Sequence, residues 1–294
     1  MYRIPLTRNN LAVALAATAL LGAGSAQAED STFTGHVDLV SKYILRGAST
    51  TYGPGAPLGN GGADAPESDK PVLQWGVDWT HPSGVYLGYF GSQINYSYKR
   101  LGELYSNPSV TNFQSGKSIE NDFYGGYNGK AGDFGYTVGL TGYAYINGKH
   151  ANAFETKLAV SYAEFTLAAQ TLLNDVVWGN KGDTYWTFNY TRSLPYNITF
   201  LGSLGYYTYS KEGKFLGTRD TFNGAPCGAG SSFAVVCTPG NAPSSGGFRH
   251  LILGVTQPVG DSGLTWGLQG IVGGDNRFGV KQNNRLVASL SYGF

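Results

Sequence analysis

Three observations predict an all-β chain that closes into a transmembrane, antiparallel, up-and-down barrel of about twelve strands. Apolar residues recur at every second position along most of the chain, the period of a strand with one greasy face. The connections between these stretches alternate between long and short. An export signal precedes the first of them. The composition agrees: 44 glycines, 21 tyrosines and 15 phenylalanines stand beside one methionine, which favours strands and turns over helices. A net charge of +1 gives no electrostatic case for nucleic acid.

The N-terminus carries Arg3 and Arg8 without an acid, then an apolar run from Leu11 to Gly24. That run is shorter than the ~20 residues a spanning helix needs. Ala26 and Ala28 supply a small-x-small cleavage site. Residues 1–28 are therefore expected to be a cleaved signal peptide, and 29–294 the barrel. Export permits disulfides, so Cys227 and Cys237, in a Gly/Pro/Ser-rich stretch, read as a loop staple. The alternative, a two-thiol metal site, lacks a nearby histidine.

The first strand is placed at 32–47, with Phe33, Val37, Leu39, Tyr43 and Leu45 opposite His36, Asp38, Lys42 and Arg46. The second, 70–80, sets Leu73, Trp75, Val77 and Trp79 against Gln74, Gly76 and Asp78. The third, 85–96, has aromatics on both parities, so its faces stay unassigned. The fourth, 118–128, carries Glu120 and Asp122 in phase, and the fifth is placed at 134–146. The sixth, 153–161, sets Phe154, Leu158 and Val160 against Glu155 and Lys157. The seventh, 165–174, brings Gln170 to the polar face, with Glu164 just ahead of it. The eighth, 184–192, sets Trp186, Phe188 and Tyr190 against Tyr185, Thr187, Asn189 and Thr191. The ninth, 198–209, is as ambiguous as the third. The tenth, 247–257, turns His250 to the polar face, and the eleventh, 264–272, alternates Leu264, Trp266 and Leu268 with Thr265, Gly267 and Gln269. The twelfth, 285–294, alternates Leu286, Ala288, Leu290, Tyr292 and Phe294 with small or polar residues and Arg285; Val287 alone breaks the pattern.

Short links such as "HPSG", "GKAGD", "SLPYN" and "VGDSG" alternate with long ones, the longest running from Ser210 to Gly246. Short turns at one rim and long loops at the other are the layout of an outer-membrane barrel. Both termini are then periplasmic, and the last strand pairs with the first so that no edge is left. Aromatics near strand ends (Trp79, Tyr96, Tyr127, Trp178, Tyr209 and Tyr292) suit two interfacial girdles. The terminal Phe294 resembles the signal by which the barrel-assembly machinery recognises its clients.

Charges of both signs share the inward parity. They are expected either to pair and brace the wall or to form a charged constriction. The constriction candidates are Lys42, Arg46, Asp78, Glu120, Asp122, Glu155, Lys157 and Arg285. No His/Ser/acid cluster is placed at the outer rim, and no cofactor or phosphate-binding motif is present, so no catalytic, cofactor or metal residues are assigned.

"VSKYILRGAST" (Val40–Thr50), "KPVLQWGVDWTHPSGVYLGYFGSQINY" (Lys70–Tyr96) and "IENDFYGGY" (Ile119–Tyr127) together resemble the TorF-type porin family of proteobacterial outer membranes. The match covers the first four strands in motif and the rest in texture. It implies a Gram-negative outer-membrane porin for passive diffusion of small hydrophilic solutes, in contact with lipid and lipopolysaccharide. Two other readings stay open: a closed-lumen structural or adhesive barrel acting through its outer loops, and an outer-membrane hydrolase. The long cysteine-bearing loop departs from the family pattern and leaves any ligand unassigned.

Overall fold

The structure is a computed structural model that describes residues 30–49, 66–94, 118–146, 150–219, 226, 236–237, 245–277, 279 and 281–294. The expected signal peptide, Tyr96 and Cys227 lie outside the described residues. Twelve strands close into an antiparallel barrel. They are β1 (Thr32–Val40), β2 (Val72–Thr80), β3 (Val85–Ile94), β4 (Ser118–Ala131), β5 (Phe134–Tyr145), β6 (Ala153–Tyr162), β7 (Phe165–Leu172), β8 (Thr184–Ser193), β9 (Thr199–Thr208), β12 (Gly246–Pro258), β13 (Leu264–Gly273) and β14 (Arg285–Gly293). Two short strands, β10 (Leu216–Gly217) and β11 (Val236–Cys237), form a small parallel ladder in the long connection after β9.

Each barrel strand pairs with its chain neighbour, and β1 pairs with β14 to seal the cylinder, from His36 opposite Gly293 to Val40 opposite Ser289. The seam extends to the last residue: Gly35 N–H donates to Phe294 O at 2.8 Å, and Phe294 N–H donates to Gly35 O at 2.9 Å. The short links all fall at one rim and the long connections at the other, as the loop lengths predict.

The alternation has a physical consequence: the distribution of polarity is inverted relative to a water-soluble domain. Gln74, Glu120, Glu155 and His250 are buried inside, while Phe33 is 78% exposed and Leu140 56% exposed on the outer wall. A continuous apolar surface of this kind is unfavourable in water and requires an apolar surrounding. The two ambiguous strands are resolved by their neighbours. In β3, Tyr86, Phe90 and Ser92 register with inward residues, whereas Leu87 and Tyr89 face out. In β9, Tyr207 faces in and Leu204 and Tyr206 face out.

Several expectations need correction. The first strand ends at Val40, not at residue 47, because the chain leaves the wall there and turns into the lumen. Lys42 and Arg46 therefore do not stand on the barrel wall. Glu164 sits exposed in the tight turn between β6 and β7. Trp178 and Tyr209 are not girdle residues: the Trp178 indole donates to Ala151 O at 2.9 Å, and Arg277 lies 4.7 Å from the Tyr209 ring centroid. Their rings are used to fill the long-loop end of the barrel.

Val287, the one break in the last strand's alternation, packs inside with Ile44, Ile252 and Ile271. An apolar patch on a polar inner wall is explained by the Ile44 side chain that covers it. Val287→Ser is expected to cost about 1–2 kcal/mol, since it buries a hydroxyl in an aliphatic cluster; urea titration of the refolded barrel would measure it.

Candidate functional site

The candidate site is the lumen at the long-loop end, and the segment Ser41–Ser49 lies at its centre. Two consecutive residues with positive φ, Arg46 at 48° and Gly47 at 71°, turn this segment across the barrel. Left-handed geometry is costly for arginine and persists only where surrounding contacts hold it. At Gly47 a Cβ would come within 2.8 Å of the His250 side chain, so glycine is needed both for the turn and for the approach.

Those contacts converge on Arg46, which is 6% exposed. Its guanidinium makes a two-pronged pair with Glu155 of β6: Nη1 donates to Oε1 at 2.8 Å and Nη2 to Oε2 at 2.5 Å. This fork geometry is the strongest ordinary form of an ion pair. Nη2 also donates to the Tyr143 hydroxyl on β5 at 3.0 Å, and Nη1 to the Tyr207 hydroxyl on β9 at 3.3 Å. The Tyr143 hydroxyl in turn donates to Glu155 Oε2 at 2.9 Å. The Tyr185 ring of β8 lies 4.8 Å from the guanidinium carbon. In the strand order, β6 lies across the cylinder from β1. Arg46 thus spans the lumen from the segment that leaves β1 to the far wall.

The opposite wall holds the segment's backbone. β12 carries a bulge between Phe248 and His250, so the extra residue, Arg249, turns inward beside His250. Arg249 Nε donates to Arg46 O at 2.8 Å. Ser49 N–H donates to Gln282 Oε1 at 2.9 Å, and Arg285 Nη2 donates to Ser49 O at 3.0 Å. Tyr185 and His250 Nε2 lie 2.5 Å apart within hydrogen-bonding reach.

A second buried ion pair, Arg277 with Asp183, lies nearer the rim. Asp183 also accepts from the backbone N–H groups of Asn180 and Ser210, each at 2.8 Å. Burial pushes the Asp183 carboxyl up, and Arg277 opposes that shift. Between the two ion pairs is a cavity of about 70 Å³, lined in part by Arg46, Glu67, Trp178, Asp183, Arg249 and Arg277. It has room for a few water molecules.

The expected constriction residues are only partly brought together. Glu155 meets Arg46, and Glu120 accepts from the Tyr145 hydroxyl at 3.3 Å. Asp122 is inward on β4, two positions along from Glu120. Asp78 accepts from the Tyr124 hydroxyl at 2.6 Å, on the short-turn side of this cluster. Lys157 is inward on β6, opposite Gln170. Lys42 stays partly exposed and donates to Asp69 O at 2.8 Å, away from the cluster. Sequence reasoning missed Tyr143, Asp183, Tyr185, Tyr207, Arg249 and Arg277. The adjacent polar pair Arg249-His250 within a strand was the available signal for a bulge; the loop residues Asp183 and Arg277 left none.

The wall charges are segregated. Asp78, Glu120, Asp122 and Glu155 belong to β2, β4 and β6, whereas Arg249 and Arg285 belong to β12 and β14, across the lumen; Asp38 on β1, Lys130 on β4 and Lys157 on β6 depart from this division. Near the short-turn end, His36 Nδ1 lies 2.9 Å from Asp38 Oδ2, and the Ser291 hydroxyl donates to the other oxygen of Asp38. The hydroxyl contacts the acid and not the imidazole, so the order differs from a nucleophile–base–acid relay.

The family described as "Bacterial protein of unknown function (Gcw_chp)" matches residues 24–215. The chain belongs to that family. Among solved structures, the outer membrane phospholipase of Escherichia coli is similar at 9% identity and TM-score 0.38, with 90% of this chain and 96% of that chain covered. The Salmonella typhi phospholipase dimer with bound calcium gives 10% identity and TM-score 0.37, with 90% of each chain covered. OmpF of Salmonella typhi in complex with daunomycin gives 9% and 0.37, with 90% and 97% covered. No curated protein matches the sequence.

Proposed function

We propose that this Gcw_chp-family barrel is an outer-membrane channel of the TorF type for passive diffusion of small hydrophilic solutes. The observation that carries this is the inverted wall. Apolar side chains cover the outside, and acidic and basic arcs face each other across the inside. Opposed charges set up a transverse field, which favours small polar and zwitterionic solutes over apolar ones. Lipid and lipopolysaccharide would meet the outer wall, both termini would face the periplasm, and the β14 seam ending at Phe294 would be offered to the barrel-assembly machinery. A Cys227–Cys237 disulfide would tie down the long connection after β9.

Recording from the purified protein in planar bilayers under a salt gradient tests this. Discrete conductance steps are expected, with ion preference shifting toward anions when Glu120→Gln and Asp122→Asn are combined. A folded protein that gives no steps in wild-type form or in any variant of its lumen would overturn it.

A second reading, a closed barrel acting through its long-loop end, is favoured by one observation: the Arg46 guanidinium already reaches the far wall and is buried there. A hydrolase is weaker, because Ser291 is engaged by Asp38 instead of by His36.

A further inference from the structure

We infer that Ile44–Ser49 is a releasable plug, hinged where Ser41 N–H still donates to Ala288 O of β14 and Tyr43 pairs with Ser68, and that the Arg46–Glu155 pair is the latch that keeps it seated. This rests on the channel reading above and adds a gate to it.

The way the segment is held argues for release. A barrel strand is fixed by a ladder of backbone hydrogen bonds, and removing it would open the sheet. From Ile44 to Ser49 the described backbone makes no backbone-to-backbone bond to the wall; its one such bond is local, Ala48 N–H to Leu45 O at 2.9 Å. The hydrogen bonds that seat this stretch against the wall and the connection before β14 use side chains: Arg46 to Glu155, Tyr143 and Tyr207, Arg249 and Arg285 to segment carbonyls, and Ser49 to Gln282 and Asn283. The segment can therefore leave its seat with all twelve strands still paired.

Two further features fit a two-position element. Arg46 carries an unfavourable backbone at φ 48°, which undocking would relax. Among the described residues its Nε is buried without a hydrogen-bond partner, an unmet donor that water would satisfy on release. Against release stand the forked ion pair and the seating of Ile44 on Ile252, Ile271 and Val287. Removing either charge of the pair leaves the other buried and unpaired, a state that hydration of the lumen relieves. The latch lies between the acidic and basic arcs, so its release widens the passage there.

The test is single-channel recording of the full-length mature protein in planar bilayers, with heat-modifiable gel migration to certify folding. Arg46→Ala and Glu155→Gln are each expected to raise the open-to-closed ratio by about 100-fold or more. Arg46→Lys keeps the charge and loses the fork, and is expected to fall between them and wild type. Replacing Ile44–Ser49 by a Gly/Ser linker of equal length should give a barrel that stays open. Wild type and all variants conducting with the same amplitude and open fraction would overturn the plug and leave the channel standing. Folded barrels that remain silent even with the linker would overturn the channel, and the gate with it.

Discussion

Leu140→Arg is expected to destabilise the barrel by ~2–4 kcal/mol when it is refolded into lipid vesicles and titrated with urea. Leu140 is near the middle of β5 on the outward face and is 56% exposed to the barrel's surroundings. The cost arises because a guanidinium at that depth must be stripped of water or drag water into the hydrocarbon. Phe134 shares the face but lies at the end of the strand, beside the short turn. Phe134→Arg is expected to cost only ~0–1 kcal/mol, because an arginine there reaches the headgroups. The contrast between the two positions is the informative quantity. Equal, small penalties would mean that the outward face does not meet hydrocarbon.

Glu155→Ala is expected to weaken docking of Ile44–Ser49 by ~3–5 kcal/mol, since Arg46 would keep its burial and lose its carboxylate. Hydrogen exchange in that segment should accelerate accordingly, while exchange in β6 itself changes little. Removing both charges together, as Arg46→Met with Glu155→Met, is expected to be far milder, because no uncompensated charge remains. A double replacement as damaging as the single one would show that the segment is held chiefly by its aliphatic seat and not by the ion pair.

Most of the barrel was legible in the sequence, for a reason that particular residues make plain. On β6 and β8 the side chains obey a strict two-residue period, and that period is imposed by the two environments on either side of the wall. Loop length was legible too, because turns at one rim are short by geometry. What failed was the point where the first strand leaves the sheet. Apart from Ile44, "SKYILRG" keeps the same alternation past Val40, so Lys42 and Arg46 look like wall residues. The lumen imposes the same demand on Tyr43 and Ile44 as the membrane does: both sides of the cylinder accept apolar groups where another apolar group covers them. Periodicity cannot tell the two apart. Gly47 was a cue to a turn, but one glycine among 44 carries little weight. The same ambiguity explains β3, where Phe90 is aromatic on the inner face because His36 and Tyr43 pack against it, at ring-centroid distances of 6.5 and 6.3 Å.

The site was legible in part. Glu120, Asp122, Glu155 and Lys157 fall on the inner wall because β4 and β6 follow the period. Arg249 was missed because a bulge shifts it out of phase. Arg277 and Asp183 were missed because they come from connections, where no period exists and only the folded chain brings them together.

A nitroxide scan along β6, one labelled position at a time from Phe154 to Tyr162 in lipid vesicles, tests the central claim most directly. Collision with dissolved oxygen should peak at 154, 156, 158, 160 and 162 and dip at 155, 157, 159 and 161. A scan with no two-residue period, or with maxima on the Glu155–Lys157 face, would contradict a barrel that turns its apolar side chains toward lipid.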